Sequence, residues 1–395
     1  MTHKLLFLFI LSIVLLLNSC GSGASSDDEV QVFSLDEKEF LHTLFLSEYL
    51  WFDQVEENVD YNLFMRPQEM INALRIDPPD QWSFAMTEQA YEDYSNQKTT
   101  GFGFDYINDF LIYLVRINAP AYGKLFRGDQ ILQINGEAVS QTLISAASQN
   151  LNVPATFTLL RDGTQIDVTV TPIEYSFNVS LGKIITQGTQ KVGYLRYDSF
   201  TESSVAEFER IFTTFNDEDI DELVIDIRYN GGGSIVTASA LLDNISNAYA
   251  GQRQMYLDWN ENYKQNNSSY TFEDVDMQDG NELTMKRVFF LTSKSSASAS
   301  EAVINALVPY FTTSNVITVG DDTHGKPVGM SGRSYGLNYY FLINFYVRNN
   351  ENETTSFDGI PVTCSAEDDL THMLGDENET MFKTALNYMA TGVCL

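Results

Sequence analysis

The apolar positions change period along the chain, and each change marks an element or a boundary. Leu5 to Leu17 form one apolar run broken only by Ser12. FSLDEKEFLHTLFLSEYLWF, residues 33–52, then places its apolar residues at helical spacing, opened by Ser34 ahead of Glu37 as a capping box. The paired prolines of RIDPPDQWSF force a break. Residues 33–96 therefore read as a small helical region with a loop, its aromatic stripe serving as core. From 98 to 173 the pattern shifts to short strands: GFGFDY, FLIYLVRI, GDQILQING and ATFTLLRDGTQIDVTV, the last folding as a hairpin through Asp162-Gly163. AVSQTLISAASQNL between them has a helical pattern. Beyond 177, strands (VGYLRYDSF, ELVIDIRY, KRVFFLTS, NVITVG) alternate with helices (SSVAEFERIFTTF, TASALLDNIS, ASEAVINALV). Such alternation predicts an α/β sheet with helices packed on it. The polar stretch 258–282 interrupts it as a long loop or excursion.

Lys4, the apolar run and Asn18-Ser19-Cys20 make a secretory leader and not a spanning helix. The cysteine after Leu-Leu-Asn-Ser resembles the bacterial lipoprotein cleavage box. That resemblance implies cleavage after residue 19, a lipid on Cys20 and a flexible acidic tether over 20–32. An ordinary signal peptide with a chance cysteine is the plainer reading. The composition of the whole chain is globular, with 44% hydrophobic and 13% aromatic residues. A net charge of −31 and a pI near 4.2 exclude nucleic acid as the natural partner and polybasic docking on lipid. With Cys20 lipidated, Cys364 and Cys394 are the candidates for a disulfide, or else two buried thiols. No Cys or His spacing fits a metal cage, and no cofactor fingerprint occurs.

Three turns could carry chemistry, each following a predicted strand, where α/β sheets assemble sites. VIDIRYNGGGS, 224–234, ends a strand in Gly231-Gly232-Gly233, either an oxyanion hole or a tight β-α turn. SSASASEAVINAL, 295–307, puts Ser298 at a helix start, where helix amides and dipole favour a developing negative charge. Ser298 and Glu301 also make a capping box, so the serine is explained without chemistry as well. GDDTHGKPVG, 320–329, holds Lys326, a surface lysine by default and a general base if burial depresses its pKa. A histidine triad using Asp226 and His324 is the weaker option, since no nucleophile elbow of the G-x-S-x-G type occurs.

Together DIRYNGGG, SASASE and HGKPVG resemble the C-terminal processing peptidases (tail-specific proteases), in the lipoprotein branch of Bacteroidetes. The resemblance implies an α/β multidomain protein: the helical region, a PDZ-like domain over 98–173, and a tricorn-core-like (ClpP/crotonase-like) serine peptidase domain over 177–395. It implies Ser298 as nucleophile, Lys326 as base, and the amides of Gly232 and Ala299 as oxyanion donors. Ser296 and Ser300 would be small neighbours leaving room for a substrate backbone. Gly101, Phe102, Gly103 and Phe104 resemble the PDZ loop that receives a peptide's terminal carboxylate. The closing segment implies that Cys364 and Cys394 clip a terminal helix to the core. Substrates would be exported proteins or peptides chosen by their C-termini, at the cell envelope, on the periplasmic or surface face of the outer membrane. One departure is Met330, where many members carry a Gln that orients the base. It keeps open the alternative of a catalytically impaired binding or scaffold lipoprotein.

Overall fold

The computed structural model describes residues 33–273, 280 and 282–395. The leader, Cys20 and the tether lie outside the described residues, as do 274–279 and 281 of the polar stretch.

The core is a six-stranded sheet. Ser180–Gln187 pairs antiparallel with Gln190–Tyr197, which starts a parallel series through Glu222–Asp226, Val288–Thr292, Val316–Gly320 and the short Cys364–Ser365. Glu222–Asp226, Val288–Thr292 and Val316–Gly320 are buried throughout and nearly all apolar because both faces are covered. Side-chain alternation divides them. Leu223, Ile225, Val288 and Phe290 face the helices Val205–Asp217, Ile235–Ile245 and Ala299–Phe311. Val224, Phe289, Leu291 and Val319 face the terminal helix Thr380–Thr391 through Met381, Phe382 and Ala385. The Cys364–Cys394 disulfide joins the edge strand to the chain just past that helix.

A second sheet, not anticipated from sequence, lies over the outer side of the helices. Its long strand Asn338–Arg348 pairs along one edge with Val328–Tyr335 and along the other with Phe84–Thr87, beside 338–341, and Arg253–Trp259, beside 345–348, with Ser268–Thr271 beyond the latter. Met255, Leu257, Phe345 and Val347 of this sheet complete the helix core. The polar excursion is therefore partly a strand pair, its polar residues lying on an outer edge.

This sheet also changes the account of residues 33–96. Phe33, Leu41, Phe45, Tyr49, Met70 and Ile71 form one core with Val328, Tyr340, Leu342 and Ile343. The region is thus built onto the second sheet and is not a separate helical unit. Ser34 caps Leu35–Ser47 by accepting the Glu37 amide, 3.2 Å. The buried Glu37 carboxylate instead accepts from Asn338 and Tyr340. The local cap is used for tertiary docking.

Residues 98–173 form their own antiparallel sheet, ordered Phe104–Ile107, Leu111–Val115, Gln130–Ile134, Ala155–Arg161, Thr164–Val170, with the helix Gln141–Gln149. Phe102, Ile112, Ile131, Ile144 and Phe157 are its core. Asp162 and Gly163 both take positive φ, as a tight hairpin turn requires. A ribbon of Lys98–Gly101 with Ile173–Ser176 spans the junction with the rest of the chain.

Candidate active site

Three parallel strands lie side by side in the order Glu222–Asp226, Val288–Thr292, Val316–Gly320, so the segments leaving their carboxyl ends are neighbours. These segments are the glycine turn, the serine turn and the lysine turn. Chain separation is large, and sheet order alone brings them together. The third turn runs into a strand of the second sheet and not into a helix.

The glycine and serine turns are bonded through backbone. The buried Asn230 carbonyl accepts from the Ala297 amide at 3.1 Å and from Ser300 Oγ at 2.9 Å. Ser296 Oγ donates to the Ile227 carbonyl at 2.8 Å and accepts the Ser293 amide at 3.0 Å. Ser296 and Ser300 are fully buried. Their role is to rivet the serine turn to the glycine turn, which corrects the expectation that they leave room for substrate.

Ser298 precedes the helix Ala299–Phe311 with φ 56° and ψ −112°. Such a conformation costs a non-glycine residue about 1–3 kcal/mol. Gly232 lies directly beneath it. A Cβ at that glycine would stand 2.8 Å from Ser298 Cβ, 2.9 Å from the Ala297 carbonyl oxygen and 3.1 Å from the Ala299 nitrogen. Gly232 also has φ 105°, so no larger residue fits on either ground. Its amide, however, donates to Asn230 Oδ1 at 2.9 Å. The expected oxyanion donor thus lies beside Ser298 with its amide already engaged. Ala299 is the first residue of the helix, where amides have no partner within the helix.

Sequence reasoning placed Glu301 only in a capping box. In the structure its fully buried carboxylate is the junction of the site. Oε2 accepts from the Ser298 amide (2.9 Å) and the Lys326 amide (2.9 Å). Oε1 accepts from the Gly325 amide (2.7 Å) and Thr323 Oγ1 (2.6 Å). One carboxylate thus fixes the serine backbone against the lysine backbone. Each of these bonds is charge-assisted and worth more than a neutral one.

Lys326 is half-buried as a residue, and its ammonium end packs among protein atoms. Burial pulls its pKa down to about 8, against the opposing pull of the Asp80 and Glu301 carboxylates. Nothing in the sequence around Lys326 announces Asp80, which arrives from the proline-rich loop. There it accepts from Tyr49, Ser83 and two backbone amides. Trp82 of the same loop stands beside the lysine, 5.9 Å from Nζ to the ring centre. The aromatic stripe is core, as Phe45 and Tyr49 show, but Trp82 belongs to the site. Met330 packs against the N-terminal core.

Asp226 and His324 do not meet. Asp226 is buried against Arg228 and Tyr194. His324 contacts Trp82 Nε1 and the Lys294 carbonyl. Arg228, fully buried, also binds Glu379 and Asp368. Asp368 in turn binds Tyr229 and Arg127, which reaches over from the 98–173 unit. The glycine turn is thereby anchored to the disulfide-closed tail and to that unit.

Phe102 and Phe104 are buried in the core of the 98–173 unit. Gly101 and Gly103 take φ 112° and 83° and pack against Ser148 of its helix and against Ala119 and Tyr175, respectively. Phe104–Ile107 is the outer strand of the sheet.

Comparison with known proteins gives a family match and a shared fold. The family model described as peptidase family S41 matches residues 191–361. Carboxyl-terminal-processing peptidase 3, chloroplastic, of Arabidopsis thaliana is 25% identical over 219 residues, 51% of this chain and 39% of that protein. The carboxy-terminal processing protease CtpB of Bacillus subtilis is 24% identical over 315 residues, 74% of this chain and 59% of that one. The match therefore spans less than two thirds of each curated relative. A Bacteroides fragilis crystal structure attributed to the S41 proteases shares the fold, with a TM-score of 0.78 at 24% identity over 90% of this chain and 97% of that one. Residues 191–361, which hold the glycine, serine and lysine turns, are a peptidase family S41 domain.

Proposed function

We propose that the chain is a serine peptidase in which Ser298 attacks the peptide carbonyl and Lys326 is the general base. The observation that carries this reading is the Glu301 junction, which holds a strained serine and a pKa-depressed lysine on one carboxylate. Neutral Lys326 takes the Ser298 proton as Oγ bonds to the carbonyl carbon. The tetrahedral oxyanion is held by the Ala299 amide at the positive end of its helix and by an amide of the glycine turn. For Gly232 to donate, Asn230 Oδ1 must give up its bond. The lysine then protonates the leaving amine, and water, with the lysine again as base, releases the acyl group.

Residues 98–173 act in this reading as a PDZ domain that adds a substrate's C-terminal strand beside Phe104–Ile107. The Gly101–Phe104 loop receives the carboxylate. Cys20 carries the lipid that holds the protein at the envelope, and the substrates are exported proteins or peptides. The test is turnover of an unfolded protein such as casein, with labelling by a serine-directed covalent probe. Ser298→Ala is expected to lose both turnover and label. Undiminished cleavage by Ser298→Ala sinks the nucleophile assignment, and a wild-type protein that neither cleaves nor labels favours the binding-only alternative.

A further inference from the structure

The lysine niche has one wall that the S41 domain does not supply. Trp82 lies 242 residues before His324, outside residues 191–361, yet its Nε1–H donates to His324 Nε2 at 3.1 Å. Accepting at Nε2 leaves the imidazole proton on Nδ1, which donates to the Lys294 carbonyl at 3.2 Å. The His324 amide is itself tied to the Ser296 carbonyl at 2.9 Å. On its other side the indole stacks on Phe357, with centroids 6.2 Å apart and planes 16° apart. The Phe357–Gly359 segment is locked to the lysine turn: a Cβ on Gly325 would stand 2.1 Å from the Phe357 carbonyl oxygen. Below, the Trp82 amide donates to the buried Asp80 at 2.9 Å. The ring is therefore fixed from three directions and presents itself to Lys326.

We propose that Trp82 is the positioning residue for Lys326. Its indole shields the ammonium from water, and its bond to His324 holds that shield against the turn carrying the lysine. This rests on the reading of Lys326 as the base. The charged and titratable groups around the niche are Asp80 and Glu301, His324, and Lys294, whose Nζ donates to the Thr323 carbonyl near Asp322. Both carboxylates favour the ammonium, so desolvation is what opposes them. Attraction of the ammonium to the ring face acts in the same direction as the carboxylates. At 5.9 Å it is at the limit of that contact and weighs less than the water the ring excludes. Met330 offers no polar atom for this task.

The test reads Lys326 directly, by NMR titration of lysine labelled at Cε, with Lys326→Met identifying the signal. The wild-type midpoint is expected at about 8. Trp82→Ala should move it toward the ordinary ~10.4, which cuts the neutral fraction at pH 8 from about one half to a few per cent or less. The value of kcat at pH 8 should fall by roughly tenfold or more with KM nearly unchanged, and the pH profile should move up with the lysine. Trp82→Phe, which keeps a ring, should restore most of the low midpoint lost in Trp82→Ala, whereas a purely structural role would leave the midpoint at its wild-type value in both variants. His324→Ala, which releases the indole without touching it, should raise the midpoint part of the way. A Lys326 midpoint that stays put in His324→Ala and in every folded Trp82 variant overturns the proposal, and His324→Ala decides alone if Trp82→Ala does not fold. If the midpoint moves as expected while Ser298→Ala still turns over substrate, the peptidase reading fails and the positioning role stands.

Discussion

Replacing Glu301 by Gln keeps the size of the side chain and removes its charge. Four donors converge on the two carboxylate oxygens: the amides of Ser298, Lys326 and Gly325, and Thr323 Oγ1. A Gln side chain can accept at only one of its two terminal atoms, so two donors face an NH2 group. At about 1–3 kcal/mol for each buried donor left unsatisfied, the loss is ~2–6 kcal/mol, a large part of ordinary domain stability. Relaxation of the turns lowers that, and we expect about 2–4 kcal/mol and a Tm lower by roughly 5 °C or more. The same change removes a carboxylate that favours the charged lysine, so Lys326 should titrate below about 8. The distinctive outcome is a split: kcat falls by about 100-fold as Ser298 and Lys326 lose their common tether, while the base-side midpoint of the pH profile moves down. The assay is thermal unfolding followed by circular dichroism, paired with casein turnover between pH 6 and about 10. An unchanged Tm with turnover within about twofold of wild type would refute the assignment of Glu301 as the junction.

Three further outcomes follow from the same geometry. Lys326→Met should stabilise the protein near neutral pH by about 1–2 kcal/mol, after discounting for the lysine's partial exposure. The sign follows because the folded lysine titrates at about 8 and the unfolded one near 10.4: the unfolded chain holds more protons between those values, so wild-type stability climbs with pH across that window. Denaturant midpoints at pH 7 and about 10 should therefore differ in wild type and converge in the variant. Gly232→Ala forces a Cβ to 2.8 Å from Ser298, so turnover should drop by about 100-fold or more and stability by ~1–3 kcal/mol; normal turnover would show that the two residues are not in contact. Cys394→Ser opens a loop with a sequence separation of 30, at a cost of about 3–4 kcal/mol, measured by chemical denaturation. Since that loop also carries Asp368 and Glu379, which hold Arg228 beside the glycine turn, turnover should fall with it.

Local chemistry made much of this molecule readable from its residues in order. The strands and helices beyond 177 follow from apolar runs of fixed period. The Asp162-Gly163 hairpin and the Ser34 cap follow from preferences that act over three or four residues. The three turns were legible for the same reason, each being a short set of small or polar residues after an apolar strand. What the turns do to one another was not legible. That Glu301 gathers Ser298, Gly325 and Lys326 depends on which strands are neighbours, and strand order is set by contacts far apart in the chain. The second sheet escaped notice because its hairpin follows the lysine turn without a helix between them. With it went the placing of Asp80 and Trp82, carried to the lysine by a segment that reads as an isolated helical region. The engagement of the Gly232 amide by Asn230 is likewise invisible in a run of glycines. Residue type and period settle which groups are available, because those preferences act over a few bonds. Burial, and with it the ionisation of Lys326, belongs to the assembled packing, because desolvation is imposed by whatever the fold brings alongside.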